Sequence, residues 1–461
     1  YDEAIKAFEN FIANYKINDD FVAKAKLEIA SSKYALYEMR YPRLFKIARL
    51  SNNINQAGSN YAPAIGSSEL YFTSSRPIGA EGKNQILEGS KGQVRVFKKE
   101  TPYVNTIYSV DIENPTAEKV SIQKINMDLR KMETAAATVH PNGEMMFLTA
   151  WATDKEYQKR NIYISRKEGS GWGAPVVIGA EINISGFNSM QPSVTRDGKY
   201  LMFSSDSPGG LGGYDLWFAT LRSDGTIGNA VNMGDKINTK EDEQAAYYLP
   251  ATQKLLFSSN GRVGLGGFDF YEAFGDFVKW SKPENMGYPF NSSKDDIYFT
   301  AINSSGTDGY ISSDRESLCC LELFYIKTER ISVKGTLSDC RTAKPLANAN
   351  VRLTYAGGQL NAKTNDMGKY SFTIASRKPV ALRFELPGYF IKTANYSVEE
   401  IALADTLIDK ELCLTPFKVN VPIVLKNIYF EFNSAELNAP SKGTLDELVK
   451  VLADNENLRI E

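Results

Sequence analysis

One short phrase recurs five times between about Leu44 and Ile326, and this repetition constrains the fold more than any other feature. Each copy is an apolar residue followed by small hydroxyl residues: Phe72-Thr73-Ser74, Phe147-Leu148-Thr149, Phe203-Ser204-Ser205, Phe257-Ser258-Ser259 and Ile311-Ser312-Ser313. The leading residues of the last three copies stand at positions 203, 257 and 311, so they are 54 residues apart. A repeat near fifty residues is typical of β-propellers and solenoids.

The residues around each phrase favour the propeller. Before the phrase comes a hairpin signal such as Asp197-Gly198, set between two runs rich in strand-forming residues. After it come a glycine-rich loop and an aromatic strand, as in residues 214–217 and 268–271. A further strand precedes a pair made of one apolar residue and asparagine, at Ile182-Asn183, Ile237-Asn238 and Phe290-Asn291. Four short strands per unit predict a five-bladed β-propeller over residues 42–328.

The first of these apolar-asparagine pairs predicts how the ring closes. Ile54-Asn55 has only the stretch from Leu44 to Leu50 before it, so this N-terminal strand should complete the fifth blade. The first interval between phrases is also longer than the others, and we place an insertion of about twenty residues between Arg76 and Tyr103. An irregular segment of this length is usually functional or disordered.

Composition bounds the possible functions. A chain of 461 residues suggests about three domains. Its 53 basic and 55 acidic residues leave a net charge near zero, which argues against nucleic-acid binding. No stretch approaches eighteen consecutive apolar residues, so we expect no membrane-spanning helix in this chain.

Histidine and cysteine usage restricts the chemistry further. With His140 as the single histidine, sites with several histidines are impossible, and its position before Pro141 suits a strand end. We find no nucleophile-base arrangement and no ligands at metal spacing, so we expect no catalytic, cofactor or metal site and no enzyme. The four cysteines leave two alternatives open. Either all four are thiols, or Cys319 or Cys320 pairs with Cys340, with Cys413 elsewhere.

Three other features have both a functional and a structural interpretation. The glycines of residues 209–213 could bind phosphate, but no helix follows them, so turn geometry is the better explanation. Asp215 and Asp269 recur at matching blade positions, either as strand-end acceptors or, less simply, as calcium ligands. The acidic runs 241–243 and 295–296 could serve acid/base chemistry, but we interpret them as solvated turn residues.

Residues 1–41 are predicted to form two amphipathic helices. Apolar residues recur at three- and four-residue spacing on either side of a turn at residues 18–20. The opening run, with Ala4, Ile5 and Phe8, resembles the second helix of a tetratricopeptide repeat. The resemblance implies that the chain starts within a repeat. A helical hairpin that caps the propeller is the alternative.

Residues 329–415 have alternating strands broken by Gly, Pro and Asp turns, as expected for a small β-sandwich. The strand at Gly335-Thr336, the run 345–351 and the hairpin 366–372 closely resemble the carboxypeptidase regulatory-like domain. The resemblance implies a non-catalytic spacer or contact surface.

Residues 422–461 follow a short linker at Thr415-Pro416 and Val421-Pro422. A strand over residues 427–432, an amphipathic helix with Leu445 and Leu452, and a final strand from Leu458 are predicted. Residues 430–437 resemble the start of the OmpA-like domain, which binds peptidoglycan. The Asp and Arg with which that family holds the wall peptide are expected beyond Glu461, so no wall-binding residue can be named in this chain.

The four parts in this order resemble the PorE-like, OmpA-family periplasmic proteins of Bacteroidota that are associated with type IX secretion. The resemblance implies a multidomain, mainly β protein at the outer membrane, held by a lipid anchor that is not in this chain. It implies a scaffold that ties an outer-membrane barrel or secretion complex to peptidoglycan. The alternative is a propeller that binds a glycan or small ligand in its central channel as a sensor or accessory protein.

Overall fold

The structure is a computed structural model of the chain. It describes residues 1–66, 68–77, 85–90, 93–98, 103–111, 120–125, 132–153, 159–355, 358–375, 379–397, 400, 406–408, 412–417 and 428–455. The chain is mainly β and divides into two compact units, Tyr1–Thr328 and Glu329–Glu461. The predicted linker at Val421-Pro422 and the predicted final strand from Leu458 lie outside the described residues.

Two helices open the first unit, α1 (Asp2–Asn14) and α2 (Asp20–Arg40). The Asp19 carboxylate accepts hydrogen bonds from the backbone N–H groups of Phe21 and Val22, which caps the start of α2. The Tyr1 hydroxyl donates to the carbonyl of Leu265 at 2.8 Å, so the helices contact the sheets that follow. The two predicted helices are therefore present, while the tetratricopeptide resemblance stays a prediction.

Five sheets make up the rest of the first unit, and we number them 1 to 5 in chain order. The strands are numbered along the chain and given in hydrogen-bonded order: sheet 1 contains β2 (Asn60–Ile65), β3 (Glu69–Pro77), β6 (Tyr103–Asp111) and β7 (Ile122–Lys124), and sheet 2 contains β8 (Met132–Val139), β9 (Met145–Ala152) and β10 (Asn161–Glu168), with both β11 (Gly171–Trp172) and β12 (Val176–Val177) paired to β10. Sheet 3 contains β13 (Ser189–Val194), β14 (Tyr200–Ser205), β15 (Asp215–Thr220) and β16 (Val231–Asn232), and sheet 4 contains β17 (Glu243–Leu249), β18 (Lys254–Ser259), β19 (Asp269–Phe274) and β20 (Glu284–Asn285). Sheet 5 contains β21 (Asp296–Ala301), β22 (Asp308–Ser313), β23 (Glu322–Thr328) and β1 (Phe45–Arg49).

The predicted insertion between Arg76 and Tyr103 is not only loop. It contains a two-stranded hairpin of β4 (Gln85–Ser90) and β5 (Gln93–Lys98). Its Gly79, Gly82 and Gly92 lie outside the described residues.

Each sheet packs on the next, and the last packs on the first. The apolar residues that lead the repeated phrases are buried between neighbouring sheets, where Phe147 meets Phe203 and Phe72 meets Tyr310. Burial of such side chains is the main favourable term in folding. The repeat therefore encodes the contacts that join the five sheets into a closed ring.

The hydroxyl residues of the phrases join the same neighbours by hydrogen bonds. The first strand of every sheet has a β-bulge with one residue of positive φ: Ala62 (52°), Ala136 (47°), Gln191 (56°), Ala245 (54°) and Tyr298 (60°). Hydroxyl groups of the preceding sheet bond to the backbone at or near this bulge. Three of them accept from the backbone N–H of the bulge residue: Thr73 from Ala136, Thr149 from Gln191 and Ser312 from Ala62. Ser258 donates instead to the carbonyl of Asp296. Ser204 donates instead to the side-chain oxygen of Gln191, which accepts from the N–H of Ala245.

The asparagines of the apolar-asparagine pairs also have a shared role. The Asn55 side chain accepts from the N–H of Leu323 at 2.7 Å and donates to its carbonyl at 2.9 Å. Asn183, Asn238 and Asn291 make the same two bonds to the third strands of their sheets. Each asparagine side chain therefore bonds to both the N–H and the carbonyl of one strand residue, as the backbone of a neighbouring β-strand would.

Ring closure follows the expected route. Strand β1 pairs antiparallel with β23, so that Phe45 lies opposite Thr328 and Arg49 opposite Phe324. The guanidinium of Arg49 donates to both carboxylate oxygens of Glu322, at 2.8 and 2.6 Å. The N-terminal strand thus completes the fifth sheet.

The second unit contains two small sheets and a helix. One sheet has the order β27 (Lys369–Ile374), β24 (Ile331–Asp339) and β30 (Thr406–Ile408), with β31 (Leu412–Leu414) also on β24; the other has the order β26 (Gly358–Lys363), β25 (Asn350–Tyr355), β28 (Val380–Glu385) and β29 (Lys392–Tyr396). The helix α3 (Ala439–Asp454) is capped by Asn438, and its Asp454 accepts from the backbone N–H and hydroxyl of Thr393.

The predicted strand over residues 427–432 is not formed in the part that the structure describes. There Phe430 makes one isolated bridge to Leu437 across a turn in which Asn433 has a φ of 57°. None of the three described helices combines the length and apolar character needed to cross a bilayer.

The four cysteines form two disulfides, Cys319–Cys320 and Cys340–Cys413. The expected pairing of Cys319 or Cys320 with Cys340 is therefore wrong, as is the alternative of free thiols. Strand β31 pairs parallel with β24 and places Cys413 opposite Ser338, so that the Cα atoms of Cys340 and Cys413 are 4.8 Å apart.

Candidate functional site

A cavity of about 400 Å³ lies where the first strands of all five sheets meet. Strands β2, β8, β13, β17 and β21 line it, each with the bulge residue and those just after it. Most of its lining side chains are apolar, with Pro63, Ile65, Val139, Pro192 and Phe299 among them, while the surface that they and the backbone expose is about equally polar and apolar. It lies at the centre of the ring, where the alternative hypothesis from the sequence places a glycan or small ligand.

One side-chain contact crosses the channel near the bulges. The Nε2 of Gln191 in sheet 3 donates to the Tyr298 hydroxyl in sheet 5 at 2.8 Å, and to the side-chain oxygen of Gln244 at 2.9 Å. Burial raises the pKa of Tyr298 to about 12, so the phenol stays neutral. Gln191 and Tyr298 therefore form a neutral polar bridge between two sheets that are not neighbours in the ring.

A second contact crosses the channel beyond the ends of the same strands. Arg196, two residues after β13, donates through Nη2 to the carbonyls of Ala301 at 2.8 Å and Ile302 at 3.1 Å. Its Nε and Nη1 make no hydrogen bond to any residue that the structure describes. None of the described ion pairs includes Arg196, and none of the residues lining the cavity is acidic. The lining of the cavity therefore holds the charge of one partly exposed arginine and no carboxylate.

His140 also lines the cavity and is buried. Its backbone bonds to Met145 and Gly143 repeat those of Thr195 in sheet 3, so it is a strand-end residue as expected. Its Nδ1 accepts from the N–H of Asn142 at 3.2 Å, while its Nε2 has no partner among the described residues. Nε2 lies against Gly198, where a Cβ would fall 2.7 Å away.

Asp215 and Asp269 lie outside the cavity and hold the glycine-rich loops. Asp215 Oδ2 accepts from the N–H of Leu211 at 2.6 Å, and Asp269 Oδ2 accepts from the N–H of Leu265. They act as the strand-end acceptors that the sequence suggested. No cluster of three or more potential metal-binding side chains occurs in the described part of the chain.

The glycines of these loops permit close approach between sheets. A Cβ on Gly212 would fall 2.3 Å from the backbone of Lys240, and one on Gly266 would fall 2.2 Å from the Lys294 carbonyl oxygen. Close packing, rather than turn geometry alone, therefore explains glycine at these two positions.

The interpretation of the acidic runs as solvated turn residues is wrong for Glu243 and Asp296. Both begin the first strand of their sheet and are buried. Glu243 accepts from the Ser259 hydroxyl at 2.6 Å, and Asp296 forms an ion pair with Arg315 at 2.5 Å. Burial raises the pKa of both carboxyl groups. Nothing in the local pattern of residues indicates this burial, because acidic runs of this kind are usually exposed.

No protein-family profile matches this chain, and no curated protein matches it. Among solved structures it is similar to a putative TolB from Agrobacterium tumefaciens, at 11% identity over 73% of this chain and 90% of that one, with a TM-score of 0.35. It is similar to the arabinofuranosidase PaAbf62A from Podospora anserina, at 14% identity over 62% and 96%, with a TM-score of 0.38. It is also similar to the family 117 glycoside hydrolase Zg3597 from Zobellia galactanivorans, at 12% identity over 62% and 90%, with a TM-score of 0.39.

These comparisons correct one expectation. The prediction that the protein is not an enzyme is wrong as stated, because several structures similar to this chain are glycoside hydrolases. The prediction rested on the single histidine, on the lack of nucleophile-base and metal-spaced arrangements, and on the interpretation of the acidic runs as turn residues, whereas glycoside hydrolysis uses paired carboxylates. A likeness at TM-scores of 0.35 to 0.39 does not itself assign an activity.

Proposed function

We propose that the protein is a periplasmic scaffold, associated with the outer membrane, that anchors an outer-membrane complex of the type IX secretion or gliding machinery to peptidoglycan. The ring of five sheets is interpreted as a five-bladed β-propeller, and residues 422–461 as the first part of an OmpA-like domain. The observation that carries the proposal is the match of residues 430–437 to the opening of that domain, followed directly by helix α3.

The disulfide Cys340–Cys413 supports the proposed location in the periplasm. Disulfides form and persist in oxidising environments such as the bacterial periplasm and are rare in the cytosol. This bridge joins residues 73 apart in sequence, between two paired strands of the second unit. A protein with such a bridge suits the space between the wall and the outer membrane.

The N-terminal helices offer a surface for a protein partner. Ile17 in the connecting turn and Phe21 at the start of α2, four residues apart in sequence, are 61% and 70% exposed. Exposed apolar groups that lie close together often mark interaction sites. We propose that this surface contacts the outer-membrane complex.

The test uses the full-length protein in its native envelope. It is purified from detergent-solubilised membranes, co-purifying proteins are identified, and binding to isolated sacculi is measured. We expect a stoichiometric outer-membrane barrel or secretion component and saturable sacculus binding. Replacing Ile17 and Phe21 by serine should release the partner but keep sacculus binding, whereas Val176→Ser, which changes another exposed apolar residue, should alter neither. Failure to bind sacculi would refute the anchoring role.

A second candidate function is favoured by the cavity itself. A concave site that combines apolar side chains with a few polar groups is the usual form of a small-molecule site. The protein would then bind a small ligand in its channel as an envelope sensor or accessory protein. This function is compatible with anchoring and is tested separately below.

A further inference from the structure

We infer that the channel cavity binds a small organic carboxylate, whose charged group is held by Arg196 and whose apolar body lies along the channel wall. The inference rests on the second candidate function, ligand binding in the channel, and is independent of wall anchoring.

The charge of the site selects an anion. Arg196 has two carbonyl partners for Nη2 and none among the described residues for Nε and Nη1. A guanidinium is permanently charged, and its planar set of donors matches the two oxygens of a carboxylate. A carboxylate that occupied these donors would supply the negative charge that the described lining residues lack.

His140 lies in the same lining and serves as a reporter rather than as a second donor. Its Nδ1 accepts from the N–H of Asn142, and its Nε2 is buried against Gly198. A molecule in the cavity therefore lies near the imidazole without reaching Nε2, and Arg196 alone provides the charged donors.

The walls and size select a small molecule with an apolar body. Pro63 and Ile65 of sheet 1, Val139 of sheet 2 and Phe299 of sheet 5 line the same space. The volume of about 400 Å³ lies within the range of roughly 300–1,000 Å³ typical of ligand pockets. A carboxylate with a short hydrocarbon chain matches both the charge and the walls.

The neutral bridge of Gln191 and Tyr298 limits the length of the site. It crosses the channel near the bulges, whereas Arg196 crosses it beyond the end of β13. A ligand bound to Arg196 thus has a boundary at the opposite side of the cavity. Polymers threaded through the channel are disfavoured as long as both contacts are formed.

The first experiment compares two probes of equal length, hexanoate and hexan-1-ol, by titration calorimetry on the full chain. We expect the protein to bind hexanoate at least about tenfold more tightly than hexanol, since charge-assisted hydrogen bonds are the stronger kind. Arg196→Gln should weaken hexanoate binding by about tenfold or more and leave hexanol unchanged. Arg222→Gln removes an exposed arginine that does not line the cavity, and this variant should bind as the parent does.

A second measurement does not depend on any variant. Because His140 is the only histidine, its imidazole proton signals in an NMR spectrum are unique. Saturating hexanoate should shift them, and hexanol at the same concentration should shift them less.

If the glutamine variant does not fold, Arg196→Lys takes its place. This variant keeps the positive charge and should retain part of the affinity for hexanoate.

Three results would overturn the inference: no hexanoate binding at millimolar concentration, equal affinity for both probes, or binding that leaves the His140 signals unmoved. Sacculus binding is measured in parallel on the same preparations and should not depend on Arg196. Loss of hexanoate binding with intact sacculus binding, or the reverse, therefore separates failure of this inference from failure of the anchoring proposal.

Discussion

The side-chain amide of Gln191 donates to the hydroxyl of Tyr298 across the centre of the five-sheet ring, at 2.8 Å. These two residues occupy equivalent bulge positions, and the other three such positions hold alanine. The ring therefore joins two non-adjacent sheets at the only two bulges with long side chains.

Replacing Gln191 by alanine should destabilise the ring. The change removes the bond to Tyr298 and leaves the N–H of Ala245 without its acceptor in a buried setting. We expect a loss of about 1–3 kcal/mol in the free energy of unfolding, measured by urea denaturation. Gln123→Ala, at an exposed position of β7, should change stability by less than about 0.5 kcal/mol. Equal effects of the two changes would contradict the role of the bridge.

Asn55→Ala should loosen the closure of the ring. Its side chain satisfies both the N–H and the carbonyl of Leu323 in buried surroundings. We expect faster hydrogen exchange of the Leu323 amide and a loss of about 1–3 kcal/mol. The control is Asn395→Ala, which removes an asparagine side chain at an exposed position of β29. Unchanged exchange at Leu323 would count against the proposed closure.

Asp269 should make stability depend on pH. Burial, with a contribution from the charge of Asp296, raises the pKa of Asp269 to about 7 from its usual 3.8. Between these values the folded protein binds a proton that the unfolded chain does not, so this group's contribution to stability declines as pH rises from about 4 to 7. Asp269→Asn should remove this part of the dependence.

The measurement for Asp269 is urea denaturation at several pH values between 4 and 8. Asp215→Asn alters the matching loop contact in sheet 3 and controls for the loss of hydrogen bonds to the loop. A difference between Asp269→Asn and the parent that stays constant across this pH range would refute the raised pKa.

The two disulfides should differ strongly in their effect on stability. Cys340–Cys413 spans 73 residues, whereas Cys319–Cys320 joins neighbours and closes almost no chain. Replacing Cys340 and Cys413 by serine should destabilise the second unit by about 4 kcal/mol, and replacing Cys319 and Cys320 should cost much less. Peptide mapping without reduction checks the pairing, and a Cys320–Cys340 peptide would contradict it.

Much of the ring could be predicted because its contacts repeat. The apolar residues of the phrase pack between neighbouring sheets, and the asparagines of the apolar-asparagine pairs make the same two hydrogen bonds in four of the sheets, so the spacing of both motifs carries the topology. The pairing of β1 with β23 followed from one asparagine pair, Ile54-Asn55, that lacked a preceding strand of its own.

The cavity and the buried carboxylates could not be predicted in the same way. Alanine at three of the five bulges gives no sign of a positive φ, since the sequence there suits an ordinary strand. The contact of Gln191 with Tyr298 spans 107 residues and depends on the closed ring. The burial of Glu243 and Asp296 likewise follows from tertiary packing rather than from the local pattern of charges.

The strand that completes sheet 5 also determines how the ring would respond to load. Because β1 and β23 are antiparallel, the residue where the chain enters the ring, Phe45, lies directly opposite the residue where it leaves, Thr328. Tension applied through these two points acts at one end of the ladder, so its hydrogen bonds would break one after another, as a zipper opens. Under tension in this direction, the pairing of β1 with β23 would separate first, while the other four sheets kept their structure.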